Sequence, residues 1–244
     1  MYDPTQIVKN DADYVYDALT SFGDKKPLLM ILYSYGGDIG AAYLIGKLCR
    51  EYSNECFVIA VPRAAKSAAT LLACAADEIH MGSLSELGPI DPQIDKLPAL
   101  GLKNSIEHIA QLVKQTPESS EMFAKYLHSS LKLIDLGYYE RVAESAMQYA
   151  ERLLATHADK LKKPVIDIAN ELVYSYKDHG FIIDKSEAES IFGLEIVKHN
   201  TPIYFLSNEI YKTLKMVNGF MNWLNHTFYF IGSLDSEPRI QSRK

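Results

Sequence analysis

Short apolar runs, each followed by a turn and an amphipathic stretch, dominate the chain between Pro27 and Met81. The runs are PLLMILY from Pro27, CFVIAV from Cys56 and EIHM from Glu78. Runs of this length between turn signals are typical of strands that are buried on both faces of a parallel sheet. Amphipathic segments between them, joined by short connections, are typical of βαβ crossovers. The sequence therefore predicts an α/β fold.

Beyond Pro92 the pattern changes to long amphipathic stretches that predict helices. Their predicted starts are Thr116-Pro117, with helix continuing through Leu136, then Gly137 and Lys163-Pro164. A capping box is predicted at Ser186 to Glu189, and a short strand at Glu195 to Val197. With no repeat or flexible linker in view, we predict one domain over 1–244, with a sheet core over about 24–100 and a mostly helical portion over about 101–244.

Composition excludes several classes of partner. The 244 residues are 48% hydrophobic and carry a net charge of −6 without a long basic run, so we expect no nucleic-acid partner. No apolar stretch is long enough to span a bilayer, so we expect a cytoplasmic protein with no membrane partner. Cys49, Cys56 and Cys74 lack metal or disulfide spacing, which favours reduced thiols, and we expect neither a metal nor another cofactor.

A pair of glycines, Gly36 and Gly37, follows the first apolar run and precedes an amphipathic segment. In an open parallel sheet, ligands bind at the carboxyl ends of the strands, which is where this turn is predicted. Glycine lets the backbone approach a ligand and leaves free N–H groups at a helix start. A tight turn with no ligand is the alternative.

A serine among small residues, Ser67, follows the second run in the segment AAKSAAT. Such a serine at the first turn of a helix can present an approachable hydroxyl, with the next backbone N–H placed to receive an oxyanion. An ordinary helix cap is the alternative for Ser67.

Four motifs in order make the resemblance to a known family specific: Gly-Gly-Asp from Gly36, Ser67 among small residues, Ala-Ala-Asp-Glu-Ile from Ala75 and Gly-Pro-Ile-Asp-Pro-Gln from Gly88. The chain resembles the serine dehydrogenase proteinase family, which is related to signal peptide peptidase A. The resemblance implies a Clp-protease/crotonase-like fold built from ββα and βαβ units. It extends from Pro27 to Gln93 and returns at HGFIIDKSEAESIFGLEIV.

The resemblance implies a serine peptidase in which Ser67 is the nucleophile. The backbone N–H groups of Gly37 and Ala68 would form the oxyanion hole, in agreement with the interpretation of both turns. Gly36 and Asp38 are the expected contacts for an extended substrate.

The general base is harder to assign. Clp proteases carry a histidine where this chain has Asp91, and a carboxylate is a poor acceptor for a serine proton. Signal peptide peptidases use a lysine near the start of the next helix, which implies Lys103 here, with Lys96 and Lys114 less well placed. Asp91 and His179, which precedes the late element, are secondary candidates. His80 is predicted to be a core or edge residue of a short strand.

The leading prediction is an ATP-independent serine peptidase with a Ser67–Lys103 dyad that acts on peptides or unfolded protein. The alternatives are a catalytically silent binding or scaffolding protein of the same fold, and a crotonase-like acyl-CoA enzyme. The resemblance also implies a homo-oligomer of trimer or hexamer type, and the aromatic C-terminal stretch is one candidate contact surface.

Overall fold

A computed structural model of the chain describes residues 1–23, 25–91, 93–94, 97–130, 133–233 and 239–242. Its strands are β1 (Tyr2–Asp3), β2 (Lys26–Ile31), β3 (Tyr33–Ser34), β4 (Ser53–Val61), β5 (Ala64–Ala65), β6 (Glu78–Met81), β7 (Glu86–Leu87), β8 (Gln93–Ile94), β9 (Leu97–Pro98), β10 (Val197–His199), β11 (His226–Tyr229) and β12 (Arg239–Ser242). Its helices are α1 (Lys9–Ser21), α2 (Ile39–Tyr52), α3 (Ala68–Ala73), α4 (Ala99–Gln115), α5 (Ser120–Ser130), α6 (Leu133–Leu154), α7 (Val165–Tyr174), α8 (Lys185–Phe192) and α9 (Pro202–Trp223).

The main sheet is parallel and has the order β10-β6-β4-β2. Helix α2 connects β2 with β4, and α3 connects β4 with β6, so both connections are the βαβ crossovers that the sequence predicts. The late strand β10 pairs with β6, so the C-terminal half of the chain contributes a strand to the same sheet. The predicted α/β class is confirmed.

Each of the first three strands of the main sheet bends and continues into a second, smaller parallel sheet. Leu32 separates β2 from β3, Pro62 and Arg63 separate β4 from β5, and residues 82–85 separate β6 from β7. The second sheet has the order β1-β3-β5-β7. The carboxyl ends of three adjacent short strands therefore meet at one edge, where the chain turns into α2, α3 and the segment after Leu87.

Helices α2 and α3 pack against each other and bury small residues at their contact with the sheet. Ala42, Ile45 and Cys49 of α2 are fully buried, as are all six residues of α3. One cluster of buried apolar side chains extends from Met1 to Ile231, and it includes residues of α6, α7 and α8. Small side chains let the helices approach closely, and this fixes where the turns before α2 and α3 lie.

Capping side chains mark the residues at which the later helices α8 and α9 begin. Thr201 accepts a hydrogen bond from the Tyr204 N–H at the start of α9 (3.1 Å). The cap of α8 is Asp184, whose carboxylate accepts from the N–H groups of Ser186 and Glu187 (2.8 and 2.9 Å). The predicted capping box at Ser186 is therefore wrong, because an aspartate two residues earlier supplies the acceptor.

Strand β2 departs from its prediction. It lies at the edge of the main sheet, and its side chains are exposed or half-buried. The prediction that this run is buried on both faces is wrong for β2, because among the described strands it pairs with β4 alone, at the edge of the sheet. Over the described ranges, no helix combines the length and apolar character needed to cross a bilayer.

Candidate functional site

Three short strands, β3, β5 and β7, end side by side, so the turns that follow them lie together at one edge of the second sheet. Ser34 of β3 pairs with Ala65 of β5, and Ala65 pairs in turn with Leu87 of β7. The Lys66 N–H donates to the Ser34 carbonyl (3.0 Å), which continues the ladder to the residue before Ser67. The turns that contain Gly36, Ser67 and Gly88 thus follow neighbouring strands, as the sequence predicts for the first two.

The turn at Gly36 and Gly37 needs glycine at both positions. Their φ angles are +104° and +145°, a region that residues with a Cβ rarely adopt. A Cβ on Gly37 would lie 2.3 Å from the Ile7 carbonyl oxygen. Ile7 explains this contact, because its N–H donates to the Gly36 carbonyl and its carbonyl accepts from the Asp38 N–H (2.8 Å each). The residues before α1 therefore brace the glycine turn.

Ser67 has a left-handed backbone conformation that a serine adopts only under constraint. Its φ and ψ are +51° and −116°, and it immediately precedes α3. Its side chain makes no capping hydrogen bond, so the ordinary-cap alternative is wrong. Gly36 lies directly against it, since a Cβ on Gly36 would be 2.9 Å from the Ser67 Cβ and 3.2 Å from the Ala68 nitrogen. Backbone strain of this kind clusters at functional sites.

Two backbone amides beside Ser67 have no acceptor within the described part of the chain. Gly37 and Ala68 donate no hydrogen bond there, whereas their neighbours Asp38 and Ala69 donate to Ile7 and Lys66 (2.8 Å each). The Ala68 N–H is one of the free donors that every helix leaves at its start. Free N–H groups close to a serine hydroxyl can stabilise a negatively charged oxygen.

Thr70 fastens the serine turn to the neighbouring strand end. Its hydroxyl donates to the Ala65 carbonyl (2.6 Å) and accepts from the Gly88 N–H (3.1 Å). Neither Thr70 nor Ile7 is among the site residues predicted from the sequence. A hydroxyl on a helix that is otherwise built of small apolar residues is a usable signal for Thr70, but the sequence carries none for Ile7.

Asp91 and His179 meet, although they are far apart in the chain. The Nδ1 atom of His179 lies 3.7 Å from an Asp91 carboxylate oxygen, within ion-pair distance but beyond a hydrogen bond. Asp91 is 7% exposed and follows Gly88 along the chain. The turn that carries His179 is held by Asp178, which accepts from the Gly180 N–H at its carboxylate and from the Phe181 N–H at its carbonyl (3.0 and 3.1 Å).

The predicted lysines have different positions. Lys103 belongs to α4, and its side chain lies outside the described part of the chain. Lys96 also lies outside the described residues, and Lys114 is exposed near the end of α4. Lys66 is buried, and its ammonium group contacts Leu87, Phe181 and Glu86.

Other polar candidates have structural roles. The Asp38 carboxylate caps α2 by accepting from the Ala41 N–H (2.8 Å). His80 is buried between Thr201 and Glu78 (2.6 and 3.0 Å), as predicted for a core residue. Burial raises the pKa of the Cys49 and Cys74 thiols to about 12, which disfavours a reactive thiolate. The described residues contain no group of three or more His, Cys, Asp or Glu side chains that could hold a metal.

A family comparison covers the strands and turns of this site. Residues 5–124 match the model of the ClpP-like SDH-type serine proteinases. Over these residues the chain is similar to that family. The match includes Ile7, both glycines, Ser67 and Asp91, whereas His179 lies beyond it. The resemblance to serine dehydrogenase-type proteinases is confirmed.

Two relatives of this chain are uncharacterized proteins of Methanocaldococcus jannaschii. One is 36% identical over 101 residues, which make up 41% of this chain and 35% of the relative. The other is 32% identical over 96 residues, which make up 39% of this chain and 32% of the relative. The match thus spans about a third of the length of each curated relative.

Solved structures similar to this chain include two mutants of the 1510-N membrane-bound stomatin-specific protease. One has 15% sequence identity and a TM-score of 0.49, and the similarity covers 88% of this chain and 81% of the other. The second, in complex with a substrate peptide, has 14% identity and a TM-score of 0.49, with coverage of 97% and 83%.

Proposed function

We propose that the protein is a serine peptidase whose nucleophile is Ser67. The observation that carries this proposal is the left-handed conformation of Ser67, which makes no cap bond and lies against Gly36. The surrounding structure holds Ser67 in a costly backbone conformation although its side chain makes no cap hydrogen bond, as expected for a residue selected for its chemistry. The match of residues 5–124 to the model of the ClpP-like SDH-type serine proteinases supports the same reaction.

The reaction follows from the groups around Ser67. Its Oγ attacks the carbonyl carbon of a peptide bond while a base removes the hydroxyl proton. The carbonyl oxygen becomes an oxyanion, and the free N–H groups of Gly37 and Ala68 stabilise it. The C–N bond then breaks as the protonated base returns the proton to the leaving amine. Water hydrolyses the acyl-enzyme in the same way, with the base accepting a proton from the water and returning it to Ser67.

For the base we favour His179, with Asp91 as the group that orients it. The contact of Nδ1 with the Asp91 carboxylate leaves Nε2 as the ring nitrogen that can accept the serine proton. Catalytic hydrogen bonds are often long in proteins without substrate and shorten when substrate binds, so a separation of 3.7 Å is compatible with this role. Clp proteases place histidine and aspartate at these two positions in the opposite order, so the pair would be exchanged here.

Lys103 remains the rival base, and two variants separate the candidates. We expect His179→Asn to lower kcat/KM by about 10²–10⁴-fold, because the proton acceptor is lost. Lys103→Met should change kcat/KM by less than about threefold and leave the pH–rate profile unaltered. A profile that changes only in the Lys103 variant would contradict the histidine assignment and support the Ser67–Lys103 dyad.

Covalent labelling tests the peptidase proposal as a whole. We expect a fluorophosphonate probe to label the wild-type protein at Ser67 and to leave Ser67→Ala unlabelled, while Ser53→Ala, altered at the end of α2, is labelled normally. Ser67→Ala should also lose peptide hydrolysis. The wild-type protein should hydrolyse peptides without ATP. A folded wild-type protein that no probe labels would favour the silent binding or scaffolding protein, and stabilisation by CoA esters would favour the acyl-CoA enzyme.

Unfolded protein or short peptides are the proposed substrates, and a homo-oligomer in the cytoplasm is the proposed state. Helix α9 supports the oligomer, because one of its faces exposes large apolar side chains. These include Leu206 (63% exposed), Met216 (71%), Phe220 (60%) and Trp223 (76%). Light scattering should give the mass of a trimer or hexamer, and a monomer at micromolar concentration would contradict this.

A further inference from the structure

A buried lysine adjoins Ser67, and the peptidase reaction proposed above does not use it. Lys66 is 8% exposed, and its ammonium group has three acceptors around it. It donates to the Leu87 carbonyl (3.2 Å) and the Phe181 carbonyl (3.0 Å), and it forms an ion pair with Glu86 (3.2 Å). An ammonium group has three N–H donors and no lone pair, so in this arrangement Lys66 holds its neighbours together rather than accepting a proton.

The fold makes room for this side chain at Gly88. A Cβ on Gly88 would lie 2.6 Å from Cδ of Lys66, so the lysine stem passes over the residue that lacks a side chain. Gly88 also donates its N–H to Thr70, one turn into α3 (3.1 Å). The stem is therefore confined between the serine turn and the segment that leads to Asp91.

The acceptors of Lys66 lie in segments that carry the proposed base. Phe181 closes the turn that contains His179, because its N–H donates to the Asp178 carbonyl (3.1 Å). Two residues later, Ile183 pairs with Leu87 through both backbone hydrogen bonds (2.9 and 3.1 Å). The Leu87 carbonyl thus accepts from both Ile183 and Lys66, and the lysine adds a second attachment next to His179.

We infer that Lys66 is a positioning residue that fixes the His179 turn relative to Ser67. Its backbone continues directly into Ser67, while its ammonium group fixes the carbonyl of Phe181, two residues after His179. Glu86 balances the charge, which makes burial of the lysine tolerable. This inference rests on the proposed function, because it assigns Lys66 a role in aligning the nucleophile with its base.

The test compares Lys66→Met with Lys66→Arg and with Lys160→Met. Methionine keeps the apolar stem and removes the donors, whereas arginine keeps a charged donor. Lys160 binds Asp77 far from these turns in the chain and serves as a control for general destabilisation. Three readouts are needed: the rate of fluorophosphonate labelling at Ser67, kcat and KM separately, and amide hydrogen exchange over residues 178–183.

We expect Lys66→Met to slow labelling and lower kcat by about 10–100-fold with KM within about threefold, because small displacements of reacting groups are costly. Exchange over 178–183 should become faster in this variant. Lys66→Arg should retain labelling within about tenfold of wild type, and Lys160→Met should label normally. Faster exchange with unchanged labelling would overturn the inference, since Lys66 would then only stabilise the loop.

Gly88→Ala covers the case in which Lys66→Met does not fold. The added methyl group would displace the lysine stem, so we expect slower labelling and faster exchange over 178–183. If a folded Gly88→Ala protein showed faster exchange over 178–183 but an unchanged rate of labelling at Ser67, the inference would be overturned. A wild-type protein that no probe labels would overturn the proposed function and this inference together, whereas equal labelling of wild type and Lys66→Met would overturn this inference alone.

Discussion

The two ends of the parallel strands use polar groups in opposite ways. At the carboxyl ends, the Ser67 hydroxyl makes no cap bond and the amides of Gly37 and Ala68 have no acceptor within the described residues. At the amino end of β6, the Asp77 carboxylate accepts from the Phe57 N–H and from Lys160 (2.9 Å each), and it also pairs with Arg50. The groups proposed to bind the substrate have no partner among the described residues, whereas the groups that hold the fold have several.

The electrostatics of Asp77 agree with a structural role. Burial favours its protonated form, but the hydrogen bonds from Phe57 and Lys160 and the charge of Arg50 outweigh burial and lower the pKa of Asp77 below its ordinary value. The cluster joins α2, β4 and the segment after α6 through one carboxylate. We therefore expect changes at Asp77 to affect stability, and changes around Ser67 to affect reactivity.

The largest effect is expected from Asp77→Ala. This change leaves Arg50 and Lys160 without their counter-charge and the Phe57 N–H without its acceptor, so it should destabilise the fold by about 3–5 kcal/mol. Urea unfolding measures the loss, and Asp159→Ala, at an exposed position beside Lys160, is the control. If Asp77→Ala had normal stability but lost the labelling of Ser67, Asp77 would support reactivity rather than the fold, and the comparison would be wrong.

The next effect is expected from Gly36→Ala, at the other end of the strands. Its methyl group would lie against the Ser67 Cβ and the Ala68 nitrogen, in the space where the oxyanion would bind. Labelling of Ser67 should slow by about 10²–10³-fold, comparable to the loss of an oxyanion donor. Gly219→Ala in α9 has open space around it and should label normally. Labelling within a few-fold of wild type in Gly36→Ala would contradict this view of the turn.

His157 gives a smaller, pH-dependent effect at the structural end. Burial first, and then the charge of Arg50, lower the pKa of His157 to about 4. Between about pH 4 and 6.5 the unfolded chain binds more protons at this residue than the folded one, so stability falls as the pH falls, by about 1.4 kcal/mol per unit. His157→Gln should remove this slope, which urea unfolding at several pH values measures.

The measurement depends on the difference between wild type and His157→Gln. Burial raises the pKa of Asp11 to about 6, which contributes a slope of opposite sign over the same range. Because Asp11 is present in both proteins, its contribution cancels in the difference. Parallel pH dependence in the two proteins would show that His157 is not the group responsible.

The smallest effect on stability is expected from Ser67→Gly. Glycine adopts a φ of +51° without strain, so the variant should be more stable by about 1 kcal/mol while it loses all labelling. Ser53→Gly is the control, because at its φ of −83° glycine should lower stability instead. A Ser67→Gly protein less stable than wild type would mean that the serine side chain itself supports the fold.

Local sequence signals were enough to predict strands β2, β4 and β6 of the main sheet, the helices between them, and the glycine and serine turns. The alternation of apolar runs with small-residue helices determines the sheet, and Gly36, Gly37 and Ser67 stand directly at strand ends. Local signals failed where neighbours in space decide the outcome. The exposure of β2 depends on its edge position, and the cap of α8 depends on Asp184 rather than on the Ser-x-x-Glu pattern.

Pairs of residues far apart in the chain were the hardest to predict. Nothing in the sequence near Asp91 indicates that His179 lies beside it, because a turn anchored on Leu87 brings the histidine there. The same applies to Lys66, because nothing in the segment AAKSAAT indicates what its ammonium group contacts. Its contacts depend on the absence of a side chain at Gly88 and on the carbonyl of Phe181.

The brace between Ile7 and the glycine turn also affects the order in which the site matures during folding. Ile7 holds both Gly36 and Asp38, so the free Gly37 amide acquires its orientation only when the segment before α1 has docked. Until that loop closes, a chain with a formed serine turn still lacks one of the two proposed oxyanion donors. We therefore expect partly folded copies to be inert, which would protect the newly made chain from cleaving itself.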